Sequence, residues 1–172
     1  MVQLRDKEAG DDRLLASAAR LRELCDQAGA LLWVNDRPDL ALAAEADGVH
    51  VGQDDMPVAD ARAEVGDDLL VGLSTHSPDQ LGAALDSGAD ELSVGPVWAT
   101  PTKEGRPAAG LEYVSHAASV AGNRPWFAIG GIDSRNLSEV LAAGATRVVV
   151  VRAIREAADP EAAARALRDR LS

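Results

Sequence analysis

Short apolar runs alternate with amphipathic stretches along most of the chain, at intervals of about 20 to 30 residues. The apolar runs predict seven strands, at Val2–Leu4, Ala30–Val34, Gly48–Val51, Leu69–Leu73, Glu91–Val94, Trp126–Ile129 and Arg147–Val151. The stretches between them predict helices, among them Asp11–Gln27, Pro38–Ala46, Ser77–Ser87, Ser134–Ala143 and Pro160–Leu171. The predicted order is therefore strand, helix, strand, helix.

Strands joined by crossover helices must run parallel, which leaves either a doubly wound open sheet or a closed (β/α)₈ barrel. Small residues precede four of the strands, as Gly29-Ala30, Ala46-Asp47-Gly48, Gly88-Ala89-Asp90 and Gly144-Ala145. Such near-equal repeats favour the barrel. Because the first residues already form a strand, we expect one α/β barrel domain over residues 1–172 that lacks the first strand and first helix of the fold.

Composition narrows the class of protein. The chain has 172 residues, with 17 Lys and Arg against 28 Asp and Glu, and a net charge of −11. That charge argues against a general affinity for nucleic acid or anionic membranes. The single cysteine, Cys25, cannot form an internal disulfide, and no apolar run approaches the roughly 20 residues of a membrane span. We therefore expect a cytoplasmic protein.

Polar residues follow the early strands, where the active site of a barrel lies. Gln3, Arg5 and Lys7 alternate along the first strand and its extension, so they point the same way and could grip a phosphate. Asn35-Asp36 follows the second strand and Asp54-Asp55 the third. Carboxylates at neighbouring strand ends suit Mg²⁺, which takes one or two protein carboxylates together with phosphates and water. Each motif alone also fits a solvated edge strand or a helix cap.

The later strands also lead into chemically useful residues. Ser74-Thr75-His76 follows the fourth strand, and the long connection from Gly95 to Gly110 contains Thr100, Thr102 and Lys103. Gly130-Gly131 follows the sixth strand, and the seventh runs through Val151 into Arg152; (β/α)₈ enzymes often hold a phosphate after their last two strands. His76, at a helix start, is a candidate for proton transfer or phosphate contact. His50 lies inside a strand and is expected to be a packed, hydrogen-bonded histidine.

Six of these strings, in order along the chain, resemble the thiamine-phosphate synthase family. They are Gln3-Leu4-Arg5-Asp6-Lys7, Val34-Asn35-Asp36-Arg37, Gly48 to Asp55, Gly72 to His76, Gly95 to Lys103 and Ala128 to Ile132. The resemblance implies a transferase of thiamine biosynthesis. It would join hydroxymethylpyrimidine pyrophosphate to hydroxyethylthiazole phosphate, releasing pyrophosphate from a pyrimidine-stabilised carbocation.

The same resemblance implies a role for each matching residue. Asp36 and Asp55 would bind Mg²⁺, the expected cofactor, and Gln3 would lie near the pyrimidine. The pyrophosphate contacts would be Arg5, Lys7, Asn35, Ser74 and Lys103, of which all except Asn35 are expected to act in catalysis. The thiazole-phosphate contacts would be Thr100, Thr102, Gly131 and the backbone at Val151-Arg152. Many relatives have a small hydroxyl residue where Arg152 stands.

Two other functions stay open on the sequence. A thiazole tautomerase shares the barrel, but it has no pyrophosphate leaving group that needs Mg²⁺, so Asp36 and Asp55 count against it. A barrel that binds thiamine precursors without catalysis is the other alternative, favoured by the missing first strand and helix. Unpaired strand edges would also allow pairing with a second copy of the chain.

Overall fold

The structure, a computed structural model, describes residues 1–101 and 105–171. Within them the strands are β1 (Val2–Leu4), β2 (Leu32–Asn35), β3 (Gly48–Val51), β4 (Leu70–Thr75), β5 (Glu91–Val94), β6 (Trp126–Ile129) and β7 (Val148–Val149). The helices are α1 (Asp11–Ala28), α2 (Pro38–Ala43), α3 (Val58–Val65), α4 (Pro78–Leu85), α5 (Gly110–Val120), α6 (Leu137–Ala142), α7 (Arg152–Arg155) and α8 (Pro160–Arg168). The predicted α/β fold with seven parallel strands is confirmed.

The chain divides into two compact units. The first unit comprises Met1–Ser74 and Asp86–Glu91, and the second comprises Thr75–Leu85 and Leu92–Ser172. In the first unit, β1 pairs with β2, β2 with β3 and β3 with β4, all in parallel. All four residues of β3 are buried, as expected for a strand covered on both faces.

The register of the first unit decides which side chains are neighbours. Asn35, the last residue of β2, lies opposite His50 of β3, and His50 lies opposite Gly72 of β4. The strands run parallel, so their carboxyl ends lie at one edge of the unit. The polar residues predicted to follow β1, β2 and β3 therefore emerge at that edge.

In the first unit, two of the turns that precede strands are each closed by an Arg–Asp pair. Asp47, just before β3, accepts hydrogen bonds from the backbone N–H of Leu32 at 2.6 Å and from Arg22 of α1 at 2.7 Å. Asp90, just before β5, accepts equivalent bonds from Val71 at 2.7 Å and from Arg62 of α3. Each carboxylate thus ties the start of the preceding strand to a helix.

These contacts predict an effect of pH on stability. Burial raises the pKa of Asp47, but the hydrogen bonds from Arg22 and Leu32 outweigh burial and hold the pKa below its ordinary value. The stabilisation is therefore present above about pH 4 and is lost as the pH falls through the folded-state pKa. We expect Asp47→Asn to lower the free energy of unfolding by about 1 to 3 kcal/mol at pH 7.

Urea unfolding at several pH values measures this effect, with the exposed Asp67→Asn as the matched control. The difference between Asp47→Asn and the unmodified chain should shrink below about pH 4. A difference in unfolding free energy that is constant with pH, or an equal loss in Asp67→Asn, would contradict a stabilising contact between Arg22 and Asp47.

In the second unit, β5 pairs with β6 and β6 with β7. The start of the connection after β5 is bonded to the end of β6, since Val97 N–H donates to the carbonyl of Ile129 at 2.8 Å and Trp98 N–H to that of Gly130 at 3.1 Å. A Cβ on Gly130 would lie 2.4 Å from the Cβ of Pro96, so this approach requires glycine there. The predicted long connection is thus anchored where it leaves β5.

Some element boundaries differ from the predicted ones. The second strand begins at Leu32 instead of Ala30, because Gly29 adopts a left-handed conformation and Ala30 N–H bonds to the carbonyl of Cys25, which closes α1. The last strand is limited to Val148–Val149 instead of Arg147–Val151.

Two further helices are shorter than predicted. The second ends at Ala43 instead of Ala46, because Glu45 has a φ of 49° and Ala46 N–H turns back to the carbonyl of Ala41. The sixth begins at Leu137 instead of Ser134, since Asp133 N–H and the side chain of Asn136 form a separate turn at 2.9 Å. Among the described residues, no helix has the length and apolarity that crossing a membrane requires.

Candidate active site

A cleft of about 230 Å³ lies at the carboxyl ends of β1 and β2 in the first unit. Four predicted site residues line it, namely Arg5, Lys7, Asn35 and Asp36. Asp6 and Arg37 also line it, together with apolar side chains, among them Leu14, Leu40 and Val34. The cleft thus combines three cations, an amide and two carboxylates with apolar side chains, in a protein whose net charge is −11.

Asp36 is held firmly within this cleft. Its backbone has a φ of 65°, a left-handed conformation that non-glycine residues seldom adopt. Its N–H donates to the carbonyl of His50 at 2.8 Å, and its carboxylate accepts from Lys7 Nζ at 3.1 Å. Unusual backbone conformations of this kind persist where the surroundings impose them, and they concentrate at functional sites.

Arg37, the next residue, has a structural role. Its guanidinium donates to both oxygens of Asp39, at 2.8 and 2.6 Å, and to both oxygens of Asp11, at 3.0 and 3.2 Å. These bonds raise the pKa of Arg37, and the bond from Arg37 lowers the pKa of Asp39. Arg37 therefore ties the first turns of α1 and α2 together beside the cleft. The cations left for an anion there are Arg5 and Lys7, which are exposed.

Asp55 lies in the turn after β3 and is not among the residues that line the cleft. Its carboxylate accepts from Gly52 N–H at 2.9 Å. A Cβ on Gly52 would lie 2.5 Å from that carboxylate, so glycine lets the turn close on Asp55. Gln3, on β1 opposite Trp33, is exposed and also lies outside the cleft lining.

The donor set fits a hard cation. Asp36 and Asp55 offer carboxylate oxygens, and no group of three or more His, Cys, Asp or Glu able to hold a metal occurs in the described part of the chain. Mg²⁺ usually takes only one or two protein carboxylates and completes its octahedron with phosphate and water. The carboxylates of Asp36 and Asp55 are of the donor type that this ion takes.

Ser74, at the end of β4, is part of a buried chain of hydrogen bonds. Its Oγ lies 2.9 Å from His50 Nε2, and His50 Nδ1 lies 3.1 Å from Glu91 Oε1. The backbone carbonyl of Ser74 accepts from Gln53 Nε2 at 2.7 Å. His50 is thus a packed, hydrogen-bonded histidine, as the sequence predicts, but its partner is a predicted site residue.

In the second unit, Gly131 follows β6 with a φ of 69°. A Cβ there would lie 2.8 Å from the Cβ of Trp98, so glycine brings the two segments close. Val151 is exposed and directly precedes α7, whose first residue is Arg152. Thr100 is half-buried near the end of the first described range. Thr102 and Lys103 lie outside the described residues.

Glu91 is the site-associated residue that the sequence reasoning missed. The hydrophobic pattern places it only at the start of a strand. A signal was present, because a charged residue heads a strand that a parallel sheet is expected to bury, and the structure buries all four residues of Glu91–Val94. Buried carboxylates are rare without a partner, so this position could have been flagged from the pattern.

A comparison with protein families identifies the chain. The model of the family described as thiamine monophosphate synthase matches residues 1–154. The chain belongs to this family. The thiamine-phosphate synthase of Acidothermus cellulolyticus is 58% identical over 176 residues, which cover 100% of this chain and 82% of that protein. The thiamine-phosphate synthase of Thermus thermophilus is 56% identical over 99% of this chain and 82% of its own length.

Solved structures agree with this assignment to the thiamine monophosphate synthase family. The thiamine phosphate pyrophosphorylase of Pyrococcus furiosus has a TM-score of 0.91 and 35% identity, over 98% of this chain and 81% of that one. A 3-hexulose-6-phosphate synthase, with a TM-score of 0.65 and 22% identity, shows likeness of fold alone. The predicted family, thiamine-phosphate synthase function and transferase class are confirmed, and the matches support a TIM-like barrel fold. The absence of a first strand and helix stays a prediction.

Proposed function

We propose that this chain joins hydroxymethylpyrimidine pyrophosphate to hydroxyethylthiazole phosphate, with the β1/β2 cleft of the first unit receiving the pyrophosphate. The observation that carries this proposal is the pair of Lys7 and Asp36, 3.1 Å apart at the ends of neighbouring parallel strands. Membership of the family supports the condensation reaction. The charged residues of the cleft support binding of the pyrophosphate leaving group there.

The leaving group needs charge compensation. A departing pyrophosphate carries several negative charges, and fixed cations stabilise such charge where it develops. Arg5 and Lys7 are the cations that line the cleft and are open to an anion, and Asn35 adds an amide donor. We assign these three residues and Ser74 to pyrophosphate. Lys103 is assigned to it as well, on the family resemblance.

Mg²⁺ is the cofactor that we propose. Asp36 and Asp55 would hold it, and the bound ion would neutralise charge on the pyrophosphate oxygens. The left-handed backbone of Asp36 supports a fixed ligand position, since its N–H is bonded to β3 while its carboxylate faces Lys7. Lys7 could then contact the anion while Asp36 contacts the cation.

The second substrate is assigned to residues of the second unit. We propose that Thr100, Thr102, Gly131 and the backbone at Val151-Arg152 bind the phosphate of the thiazole, and that Gln3 of the first unit contacts the pyrimidine. The left-handed Gly131 supports a close approach of the backbone to a phosphate group. With both substrates fixed, the main tasks of the protein are positioning and stabilisation of the leaving group.

The thiazole tautomerase reaction is disfavoured, because it releases no pyrophosphate and gives the Lys7–Asp36 pair no task. Incubation of the chain with both substrates and Mg²⁺ tests the proposal. We expect thiamine phosphate and pyrophosphate in equal amounts, and neither product when one substrate or Mg²⁺ is withheld. Isomerisation of a thiazole carboxylate phosphate without condensation would instead support the tautomerase.

A further inference from the structure

Asn136, the residue before α6, braces the loop that carries Gly131 in the second unit. Its side-chain Nδ2 donates to the carbonyl of Gly131 at 2.9 Å, and its Oδ1 accepts from the N–H of Asp133 at 2.9 Å. Because a carbonyl only accepts and an N–H only donates, these partners fix the orientation of the amide. One half-buried side chain thus holds backbone groups on both sides of Ile132.

Two hydrogen bonds fix the peptide groups that flank Gly131. The carbonyl of Gly130 accepts from Trp98 N–H at 3.1 Å. The carbonyl of Gly131 accepts from Asn136. Both peptide bonds are trans, and in a trans peptide the N–H points opposite to the carbonyl. The N–H of Gly131 therefore points away from Trp98. The N–H of Ile132 likewise points away from Asn136.

These two N–H groups have no acceptor within residues 1–101 and 105–171. Ile132 is only 5% exposed, and buried backbone N–H groups are nearly always paired. Gly131 has a φ of 69°, and consecutive N–H groups beside left-handed residues form concave sites for anions. The loop therefore presents two backbone donors that a phosphate group would satisfy.

The bond from Asn136 selects one of two orientations of the peptide group between Gly131 and Ile132. Glycine has no Cβ, so its backbone can adopt many conformations, and Gly131 alone does not fix this peptide group. If the group rotated, its carbonyl oxygen would replace its N–H on the side that faces away from Asn136. A carbonyl oxygen repels phosphate, whereas an N–H attracts it.

We propose that Asn136 is a positioning residue that holds the N–H of Ile132 towards the phosphate of the thiazole substrate. This inference rests on the proposed function, in which Gly131 binds that phosphate, and it adds Ile132 as a second backbone donor. The carboxylate of Asp133, in the same loop, accepts from the guanidinium of Arg135 at 3.1 and 2.5 Å. This pairing reduces the repulsion between that carboxylate and a bound anion.

Steady-state kinetics of the full chain tests this role. Asn136→Asp keeps the acceptor for Asp133 N–H but loses the donor to the carbonyl of Gly131. We expect KM for hydroxyethylthiazole phosphate to rise about tenfold, the scale of one lost hydrogen bond to a charged group. The kcat and the KM for the pyrimidine pyrophosphate should change little, because the lost contact belongs to binding of one substrate.

Two further variants separate the hydrogen bond from the added charge. Asn136→Ala, which adds no charge, should show the same selective rise in KM. Ser134→Asp places a carboxylate at an exposed position of the same loop and should change that KM far less. A fall in kcat with both KM values unchanged in the two Asn136 variants would overturn the proposal, because Asn136 would then only support the fold. An equal rise in KM for both substrates would overturn it as well.

Amide NMR of the nitrogen-15-labelled full chain locates the two donors. Addition of hydroxyethylthiazole phosphate should shift the amide proton signals of Gly131 and Ile132 downfield, as expected when an N–H donates to phosphate. At saturation, the shift at Ile132 should be much smaller in Asn136→Asp. A shift at Gly131 without one at Ile132 would overturn the proposal and leave the proposed function intact.

The failure of the proposed function has a different signature. If neither Gly131 nor Ile132 responds to the thiazole phosphate, the assignment of that phosphate to this loop is wrong, and the role of Asn136 is wrong with it. If both respond but the unmodified chain forms no thiamine phosphate, the proposed condensation fails. The comparison with Asn136→Asp then still decides the role of Asn136, since the titration requires no turnover.

Discussion

Replacing Asp36 by Asn is expected to lower turnover at least about 100-fold, the scale on which loss of one preorganised electrostatic contact reduces kcat. The amide keeps the size of the side chain and tolerates the left-handed backbone, because Asn adopts that conformation about as readily as Asp. The substitution removes the negatively charged carboxylate that we propose as a ligand of Mg²⁺. The initial rate of thiamine phosphate formation at several Mg²⁺ concentrations measures the effect.

The matched control for this substitution is Asp12→Asn, which removes an exposed carboxylate in the first turn of α1. It should leave the rate and the Mg²⁺ requirement unchanged. If Asp36→Asn retained full turnover at low Mg²⁺ concentration, the carboxylate would not be a metal ligand and the proposed arrangement of the cleft would be wrong.

Replacing Lys7 by Ala is expected to lower kcat/KM for the pyrimidine pyrophosphate about 100-fold. Lys7 is 56% exposed and pairs with Asp36, so its loss removes an anion contact and leaves that carboxylate without its counter-charge. The KM for the thiazole phosphate should change little. Steady-state kinetics with each substrate varied in turn separates these two effects.

Arg13→Ala is the control for Lys7→Ala. Arg13 is 77% exposed on α1 and pairs loosely with Asp6, at 3.7 Å, so its removal changes the net charge by the same amount near the cleft. A similar loss in both variants would mean that the general field of the protein, and not a contact from Lys7, determines the affinity for the pyrophosphate substrate.

The repeating elements of the fold were predictable because they depend on local signals. Helix α1 begins at Asp11 as predicted, and β3, β5 and β6 have the predicted bounds. The errors lie at turns that are closed by medium-range hydrogen bonds, as at Gly29, where the left-handed conformation delays β2 by two residues. Hydrophobic periodicity contains no information on such closures.

The part of the candidate site that depends on the order of the strands was predictable from the sequence. Lys7 and Asp36 both belong to the polar residues expected after the early strands, and the structure places them 3.1 Å apart. The partnership of His50 with Glu91 was not predictable, since it joins residues 41 positions apart through side chains that point inward. Gly72, which makes room for that pair, reads in the sequence as an ordinary strand glycine.

Binding of inorganic pyrophosphate, measured by isothermal titration calorimetry, tests the central claim most directly, namely that the β1/β2 cleft holds a magnesium–pyrophosphate complex. The unmodified chain should bind pyrophosphate in the presence of Mg²⁺ and weakly or not at all without it, and Asp36→Asn should lose the Mg²⁺-dependent part. Equal binding with and without Mg²⁺, or unchanged binding in Asp36→Asn, would contradict the claim.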